Sequence, residues 1–227
     1  MPSVLISGAS RGLGLEFVRQ YAAEGWQVHA ACREPDSAAS LQAVAGDVVL
    51  HRLEVAEKGS LDALALSVKS LALDLVIANA GVSGPRSMTP ELVDRDSWLE
   101  TLAVNTIAPL ALAGALRRNL EKGQQKKVVA ISSRLGSIGC NDSGGLYVYR
   151  SAKAALNAAW KSLAIDWQGA GMICVVLHPG WVATDMGGPS ADLQPPESVT
   201  GMRNVIAGLT PASNGHFYNY DGAELPW

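Results

Sequence analysis

The feature that most constrains the fold is a regular alternation of short apolar segments with segments of helical periodicity. Apolar, β-rich segments lie at residues 4–7, 26–32, 48–53, 73–78, 127–132 and 173–178, with a short one at 216–220. Between them, apolar side chains recur at helical spacing in residues 12–24, 38–45, 61–71, 96–121, 147–168 and 197–208. Because the strand segments are apolar throughout, both faces of the sheet must be covered. The pattern predicts an α/β fold: one domain over residues 1–227, with a doubly wound (Rossmann) parallel sheet of about seven strands and helices on both faces.

Composition excludes several classes of function. With 48% hydrophobic and 17% charged residues, the chain can build a core without disulfide or metal support. A net charge of −3 leaves no electrostatic footprint for nucleic acid or an anionic membrane. The three cysteines and four histidines are scattered, so no metal site is expected. No signal-peptide pattern is visible, and the longest apolar stretch, residues 103–116, is shorter than the ~20 residues of a membrane span. We expect a cytoplasmic protein.

A glycine-rich loop joins the first strand to the first helix. Gly8, Gly12 and Gly14 allow the backbone to turn tightly and to approach a ligand. The free N–H groups at the start of the following helix suit a pyrophosphate. An ordinary βα turn is the alternative, but the strand-loop-helix context favours a dinucleotide. The predicted phosphate-binding residues are Gly8, Ser10, Arg11, Gly12, Leu13 and Gly14.

Two arginines bear on which dinucleotide is bound. Arg33 follows the second strand, where an acidic residue would hold the ribose hydroxyl of NAD. Arg11 lies in the glycine loop, and two guanidinium groups near one ribose suit a 2′-phosphate. Either arginine alone could simply face water, and Glu34 could accept a ribose hydroxyl instead. The sequence favours NADP(H) over NAD(H).

A tyrosine and a lysine are placed for acid–base chemistry. Tyr149 and Lys153 are four residues apart at the start of a predicted helix, on one face. A nearby cation is expected to lower the pKa of the phenol, which could then protonate the oxygen of a carbonyl substrate. Ser132 and Ser133 end the fifth strand, where one hydroxyl could hold that oxygen and the other cap a turn.

These motifs together resemble the short-chain dehydrogenase/reductase family. Residues 7–14 resemble its TGxxxGxG loop, with Ser7 for the usual Thr, and residues 78–81 resemble its NNAG motif. Asn105 matches the family's active-site asparagine, and Ser133, Tyr149 and Lys153 match its SSxxG and YxxxK motifs. Residues 179–184 match its PG…T segment, so the resemblance extends from residue 3 to about 186. Residues 131–139 and 219–222 further resemble the branch that contains the sniffer-type carbonyl reductases and the bacterial C-factor.

The resemblance implies catalytic residues and cofactor contacts. Asn105 would hold a water, Ser133 would orient the carbonyl, Tyr149 would protonate it, and Lys153 would tune the phenol and hold the nicotinamide ribose. The remaining implied cofactor contacts are Glu54, Val55, Asn79, Ala80, Gly81, Pro179, Gly180, Val182 and Thr184. Glu54 and Val55 replace a usual Asp-Val pair, and residues 140–145 lengthen the segment between Ser133 and Tyr149.

The function implied is NADPH-dependent reduction of small or medium aldehydes and ketones, with a short substrate lid near residues 184–200. A C-factor-like regulatory protein that binds the cofactor with little turnover is the alternative. Residues that could line an apolar pocket, or simply pack, are Leu135, Ile138, Trp181 and Met186. A homodimer or homotetramer is expected. Candidate interface residues, with core packing as the equal alternative for the helical ones, are Trp98, Leu102, Trp160 and Trp227.

Overall fold

The computed structural model describes all 227 residues, which form one seven-stranded parallel sheet covered by helices. The strands lie in the order β3-β2-β1-β4-β5-β6-β7, and this confirms the predicted doubly wound sheet. The strands are β1 Ser3–Ser7, β2 Gln27–Cys32, β3 Val48–Arg52, β4 Leu75–Ala78, β5 Lys127–Ile131, β6 Ile173–His178 and β7 Phe217–Asn219. The helices are α1 Gly12–Ala23, α2 Ala39–Gln42, α3 Lys58–Ser67, α4 Arg95–Leu102, α5 Ala108–Ala115, α6 Arg117–Lys122, α7 Tyr147–Trp167 and α8 Pro195–Gly208.

The sheet is buried between two apolar layers, as its unbroken apolar strands require. Leu5 faces a core cluster that includes side chains of α3, α5 and α7, whereas Val4 and Ile6 face a second cluster with α1 and α8. All three side chains are fully buried. The two edge strands are less buried: β3 is partly or fully exposed along its length, and β7 is partly exposed at Tyr218 and Asn219.

The strand order reverses between β1 and β4, which are hydrogen-bonded neighbours although they are far apart in sequence. From β1 the chain builds β2 and β3 on one side, and it then crosses to build β4 to β7 on the other. In open α/β sheets, ligands bind beyond the carboxyl ends of the strands at such a reversal. The glycine loop after β1 and residues 79–81 after β4 both lie there.

The helix predicted over 96–121 is interrupted in its middle. It is divided into α4, a π-helical turn at Ala103–Ile107, α5 and α6, and the π turn contains Asn105. A π turn widens the helix by one residue and is frequent at functional sites. Periodicity alone does not reveal it, because apolar residues continue on both sides.

Two other boundaries differ from prediction. The helix expected at 61–71 is α3, Lys58–Ser67, because the carbonyls of Val68 and Leu71 accept hydrogen bonds from the side chain of Asn119 and so leave the helical ladder. Within the segment predicted as a lid near 184–200, residues 195–200 belong to α8, and we use the name lid for the irregular residues 184–194. The irregular part is closed at its base by pairing of Val182 with Leu193.

One helical run, Arg95–Ala115, is long and apolar enough to cross a membrane by length and composition, with a mean hydropathy of 1.2. In this fold the run packs against α3, α7 and the sheet, and it carries the fully buried Asn105. A third of its most apolar window is buried, so the run places one face on the core of the α/β domain.

Among the candidate interface residues, Trp160 takes the alternative role of core packing. Its side chain is 1% exposed, and its indole N–H donates to the carbonyl of Val128 inside the core. Trp227 is partly exposed and stacks on Phe217. Trp98 donates a hydrogen bond to the hydroxyl of Ser151, which ties α4 to α7.

Candidate active site

The glycine loop is shaped by close backbone contacts. Gly8 and Gly12 have φ values of +68° and +53°, in the left-handed region that favours glycine. A Cβ on Gly14 would overlap the carbonyl oxygen of Gly8, so only glycine permits this turn into α1. The loop therefore leaves a side-chain-free cradle at the start of a helix, the arrangement that suits a pyrophosphate.

Asn79 joins the cradle to the end of β4. Its side-chain amide donates to the carbonyls of Ser7 and Gly8 at 3.0 and 3.2 Å. The Ser7 hydroxyl in turn accepts from the backbone N–H groups of Asn79 and Ala80 at 3.1 and 3.2 Å. The serine that replaces the usual threonine thus keeps the two segments together, and Ser10 and Leu13 lie in the loop so held.

The basic residues lie near the predicted nucleotide site but are not both free. Arg33 follows β2 directly, is exposed, and makes no hydrogen bond or ion pair through its side chain. Arg11 pairs with Asp185 of the lid at 3.4 Å, and both side chains are largely exposed. An ion pair this exposed contributes about 0–1 kcal/mol, so a phosphate can readily compete for Arg11. The carboxylate of Glu34 accepts a hydrogen bond from Ser37.

Glu54 and Val55 lie just beyond β3. The backbone N–H of Glu54 donates to the hydroxyl of Ser60 at 2.8 Å, and this fixes the start of the loop. Val55 lines a small crevice with Ser7 and Ala80. Both residues are partly exposed, so the carboxylate and the isopropyl group border the same edge of the sheet as the glycine cradle.

Asn105 holds the loop after β4. From the π turn its carbonyl oxygen accepts from the N–H of Val82 at 2.9 Å, and its amide donates to the Val82 carbonyl at 2.8 Å. The side chain is fully buried. A Cβ on Gly81 would lie 3.2 Å from the Asn105 oxygen, so the contact is close. The side chain is therefore a clamp on residues 81–82.

Ser133 is positioned by the turn that follows β5. Its hydroxyl accepts from the N–H of Leu135 at 3.1 Å and so caps the short 3₁₀ turn Arg134–Gly136. A Cβ on Gly136 would crowd the backbone of Lys153, so glycine lets this turn lie directly on α7. Ser132 points elsewhere and donates to Asn157 at 2.7 Å. Of the two serines, Ser133 is the one beside the tyrosine.

Tyr149 and Lys153 lie on one face of α7, as the spacing predicts. The ammonium Nζ of Lys153 is 5.9 Å from the centroid of the Tyr149 ring and donates to the Ile131 carbonyl at 2.9 Å. Lys153 is 5% exposed, and burial lowers its pKa to about 8. Its charge is therefore held at the end of β5, beneath the phenol.

The predicted direction of the Tyr149 shift is wrong. Burial raises the pKa of the phenol, while the nearby Ser133 hydroxyl and the charge of Arg86 act in the opposite direction. The free energy needed to bury the charged phenolate is larger than the stabilisation that these two neighbours provide. The phenol is consequently protonated at neutral pH, the form in which it can donate a proton.

The PG…T segment leads from β6 into the lid. The Pro179 carbonyl accepts from Ser198 at 2.6 Å, and Gly180 has a φ of +82°. Val182 is buried at the lid base. A Cβ on Gly12 would lie 3.5 Å from the methyl group of Thr184, so the lid base adjoins the cradle.

Arg86, which the sequence motifs do not single out, lies at the mouth of the site. Its guanidinium donates to the carbonyl of Met186 at 2.6 Å, and the Met186 sulfur lies 3.9 Å from the Tyr149 hydroxyl. Arg86 thus connects the loop after β4 with the lid over the tyrosine. A single arginine in a Gly/Pro/Ser-rich loop gives no local signal of this role. Ile138 is 79% exposed.

Comparison with known proteins agrees with this geometry. Residues 2–194 match the family model for short chain dehydrogenases. The chain is 44% identical over 165 residues to the C-signal protein of Myxococcus xanthus, which covers 73% of this chain and 99% of that protein.

Two solved structures are similar over the whole chain. The carbonyl reductase Sniffer of D. melanogaster superposes with a TM-score of 0.94 at 35% identity, covering 100% of both chains. The NADPH-bound carbonyl reductase from chicken fatty liver superposes with a TM-score of 0.93 at 36% identity, covering 100% of this chain and 99% of the other. The chain is therefore an oxidoreductase that belongs to the short-chain dehydrogenase/reductase family, of the sniffer and C-factor-like type.

Proposed function

We propose that this protein reduces the carbonyl group of small or medium aldehydes and ketones with NADPH. The observation that carries the proposal is the arrangement at the carboxyl edge of the sheet. A protonated Tyr149 lies above the Lys153 ammonium and beside the Ser133 hydroxyl. Met186 of the lid contacts the Tyr149 hydroxyl, and Thr184 at the base of the lid adjoins the glycine cradle.

The residues of the cradle fit a dinucleotide. Gly8 and Gly14 permit the tight turn, since a Cβ on either would meet neighbouring backbone atoms, and the turn presents the free N–H groups of α1 to a pyrophosphate. Arg11 and Arg33 supply positive charge for a 2′-phosphate, and the chicken carbonyl reductase with bound NADPH supports that choice over NAD(H). When bound, NADPH supplies the hydride.

The side chains would then handle the proton and the substrate oxygen. The Ser133 hydroxyl, whose own oxygen already accepts from Leu135, donates to the carbonyl oxygen and orients it. The Tyr149 hydroxyl transfers its proton to that oxygen as negative charge develops there. The Lys153 charge stabilises the phenolate left behind, and Asn105 holds residues 81–82 in place.

The test is consumption of NADPH with a panel of aldehydes, diketones and quinones. Tyr149→Phe should lower kcat by about 100-fold or more, since positioned general acids contribute ~10²–10⁴-fold. Binding of NADPH should be retained. Unchanged turnover in Tyr149→Phe would refute the assigned role.

The 44% identity to C-signal supports a second candidate, a regulatory protein that binds NADP(H) with little or no turnover. The two candidates differ in the need for Tyr149. If the protein is regulatory and needs only to bind NADP(H), Tyr149→Phe should retain its biological activity. If the protein is an enzyme, Tyr149→Phe should lose that activity together with turnover. The complete set of Asn105, Ser133, Tyr149 and Lys153 favours the enzyme.

We also propose that the chain forms a homodimer or homotetramer through the α4–α5 surface. Three large apolar side chains are exposed on this surface: Leu99 by 49%, Ile107 by 63% and Leu110 by 37%. Exposed apolar side chains that are grouped in this way are typical of a contact with another protein. A cytoplasmic location stays a prediction, supported by three cysteines that form no disulfide.

A further inference from the structure

A cleft that the proposed reaction does not use lies beside the catalytic residues. It has a volume of about 250 Å³ and is partly open to solvent. It lies between the 3₁₀ turn after Ser133, the end of β6, the lid and the turn after β7. We call it the Arg134 cleft. The residues that line it include Arg134, His178, Trp181, Asp192, Asn219 and Tyr220.

The cleft is formed by the fold rather than by flexible surface side chains alone. His178 and Asn219 are direct neighbours across the β6–β7 ladder. A Cβ on Gly180 would meet the side chains of Leu193 and Tyr220, so glycine lets the lid and the last turn close around this point. The walls therefore belong to strand ends and to the lid base.

Its polar groups are unpaired. The Arg134 guanidinium has no carboxylate within 4.0 Å and makes no hydrogen bond, and the side-chain amide of Asn219 makes none either. Nδ1 of His178 is buried and has no hydrogen-bond partner. Arg134 is exposed and Asn219 is partly exposed, so both are free to pair with a ligand. Buried polar groups in folded proteins are nearly always satisfied, so the unpaired Nδ1 of His178 indicates a ligand at this cleft.

The charge of the cleft selects the ligand. Burial, with the nearby positive charge of Arg134 second, lowers the pKa of His178 to about 4, so the imidazole is neutral at neutral pH. Arg134 is then the only cationic side chain that lines the cleft, and its planar fork suits a carboxylate. Asp192 on the lid wall and Asp221, whose charge acts on His178, are both negative, so they would direct a carboxylate towards Arg134.

Size and apolar lining restrict the ligand further. A volume of 250 Å³ equals the room of roughly eight waters at about 30 Å³ each. Leu193, Leu225 and the exposed indole of Trp181 supply apolar contact. A compact body such as a benzene ring, with one carboxylate attached, matches these limits.

We propose that the Arg134 cleft binds a small carboxylate with an apolar body, which pairs with Arg134 and Asn219 and packs on Trp181 and Leu193. The cleft adjoins the catalytic group through the chain, because Arg134 follows Ser133 directly. Trp181 also donates to the carbonyl of Gly187 at 2.9 Å, next to Met186 on the phenol. The carboxylate can therefore belong to a carbonyl substrate or to a separate small acid.

The first experiment measures binding without turnover. Benzoate is titrated into the full-length protein, and its binding is measured by ligand-observed NMR or calorimetry. The proteins compared are the wild type, Arg134→Met and Asp192→Asn. Arg118→Met is the control, because Arg118 is an exposed arginine on α6. Arg134→Met should raise Kd about tenfold or more, since a charge-assisted pair contributes roughly 1.5–3 kcal/mol. Asp192→Asn should tighten binding, and Arg118→Met should not change it. Absence of benzoate binding at millimolar concentration, or equal affinity in Arg134→Met, overturns the proposal.

The second experiment distinguishes the two sources of the carboxylate. Turnover of 4-formylbenzoate and benzaldehyde is compared in wild type and Arg134→Met. A wild-type preference for 4-formylbenzoate that Arg134→Met abolishes assigns the cleft to the substrate. Equal preference in both, with benzoate binding still dependent on Arg134, assigns it to a separate acid. Because benzoate binding needs no catalysis, failure of the proposed reductase activity leaves this proposal testable.

Discussion

Truncation of Asn105 to alanine tests how the loop after β4 is held. The change removes both hydrogen bonds to Val82, at 2.9 and 2.8 Å, from a side chain that is fully buried. Gly81, immediately before Val82, is one of the expected cofactor contacts. The variant should therefore lose stability and function together.

The magnitude follows from these contacts. Each hydrogen bond contributes about 0.5–1.5 kcal/mol, and a buried group left unpaired costs more. Val82 is 40% exposed, so water can partly replace the lost partner there. With the small cavity beside Gly81, we expect the free energy of unfolding to fall by about 2–3 kcal/mol. For a chain of this length, that lowers Tm by roughly 5–10 °C.

The chain offers a matched control. Asn119 is 3% exposed, and its amide donates to the carbonyls of Val68 and Leu71 at 2.6 and 2.9 Å, away from the site. Asn119→Ala should lose a similar free energy in urea unfolding but change kcat/KM little. Asn105→Ala should lower kcat/KM for NADPH and substrate by about tenfold or more, as misplaced cofactor contacts do. A loss of stability below about 0.5 kcal/mol in Asn105→Ala would refute the clamp, which is expected to contribute several times that.

Three further predictions concern charge, pH and assembly. Arg33→Ala should raise KM for NADPH at least tenfold and leave KM for NADH nearly unchanged in steady-state kinetics; equal effects would refute its contact with the 2′-phosphate. Burial and neighbouring His51 lower the pKa of His29 to about 4, below the ~6.5 of an unfolded chain, so stability is lost as pH falls from about 6.5 towards 4. His29→Asn should remove about 2 kcal/mol of the loss between pH 7 and pH 5 in urea titrations, and an unchanged slope would contradict this. Ile107→Glu, in the π turn between α4 and α5, should convert the assembly to monomers of 23.8 kDa in light scattering, and no change in mass would refute an interface on the α4–α5 surface.

The order of strands and helices was readable from the sequence because each signal is local. Apolar runs such as residues 173–178 have no polar face to place in water, so they predict buried parallel strands without any tertiary knowledge. The glycine loop was equally readable, since its glycines are required by backbone contacts within a few residues and with Asn79.

Features that depend on distant partners were not predictable. The early end of α3 is set by Asn119, some fifty residues away, and the π turn at Asn105 leaves no mark on apolar periodicity. The raised pKa of Tyr149 depends on how deeply α7 is buried, which the spacing to Lys153 does not contain. The contact of Arg86 with the lid likewise joins residues one hundred positions apart.

The most direct test of the central claim is the rate of NADPH oxidation with an accepted aldehyde or ketone, measured for wild type and Tyr149→Phe at equal cofactor occupancy. We expect turnover in the wild type, a rate of NADPH oxidation about 100-fold or more lower in Tyr149→Phe, and unchanged NADPH affinity. Wild-type turnover that survives in Tyr149→Phe, or no turnover with any carbonyl compound, would contradict it.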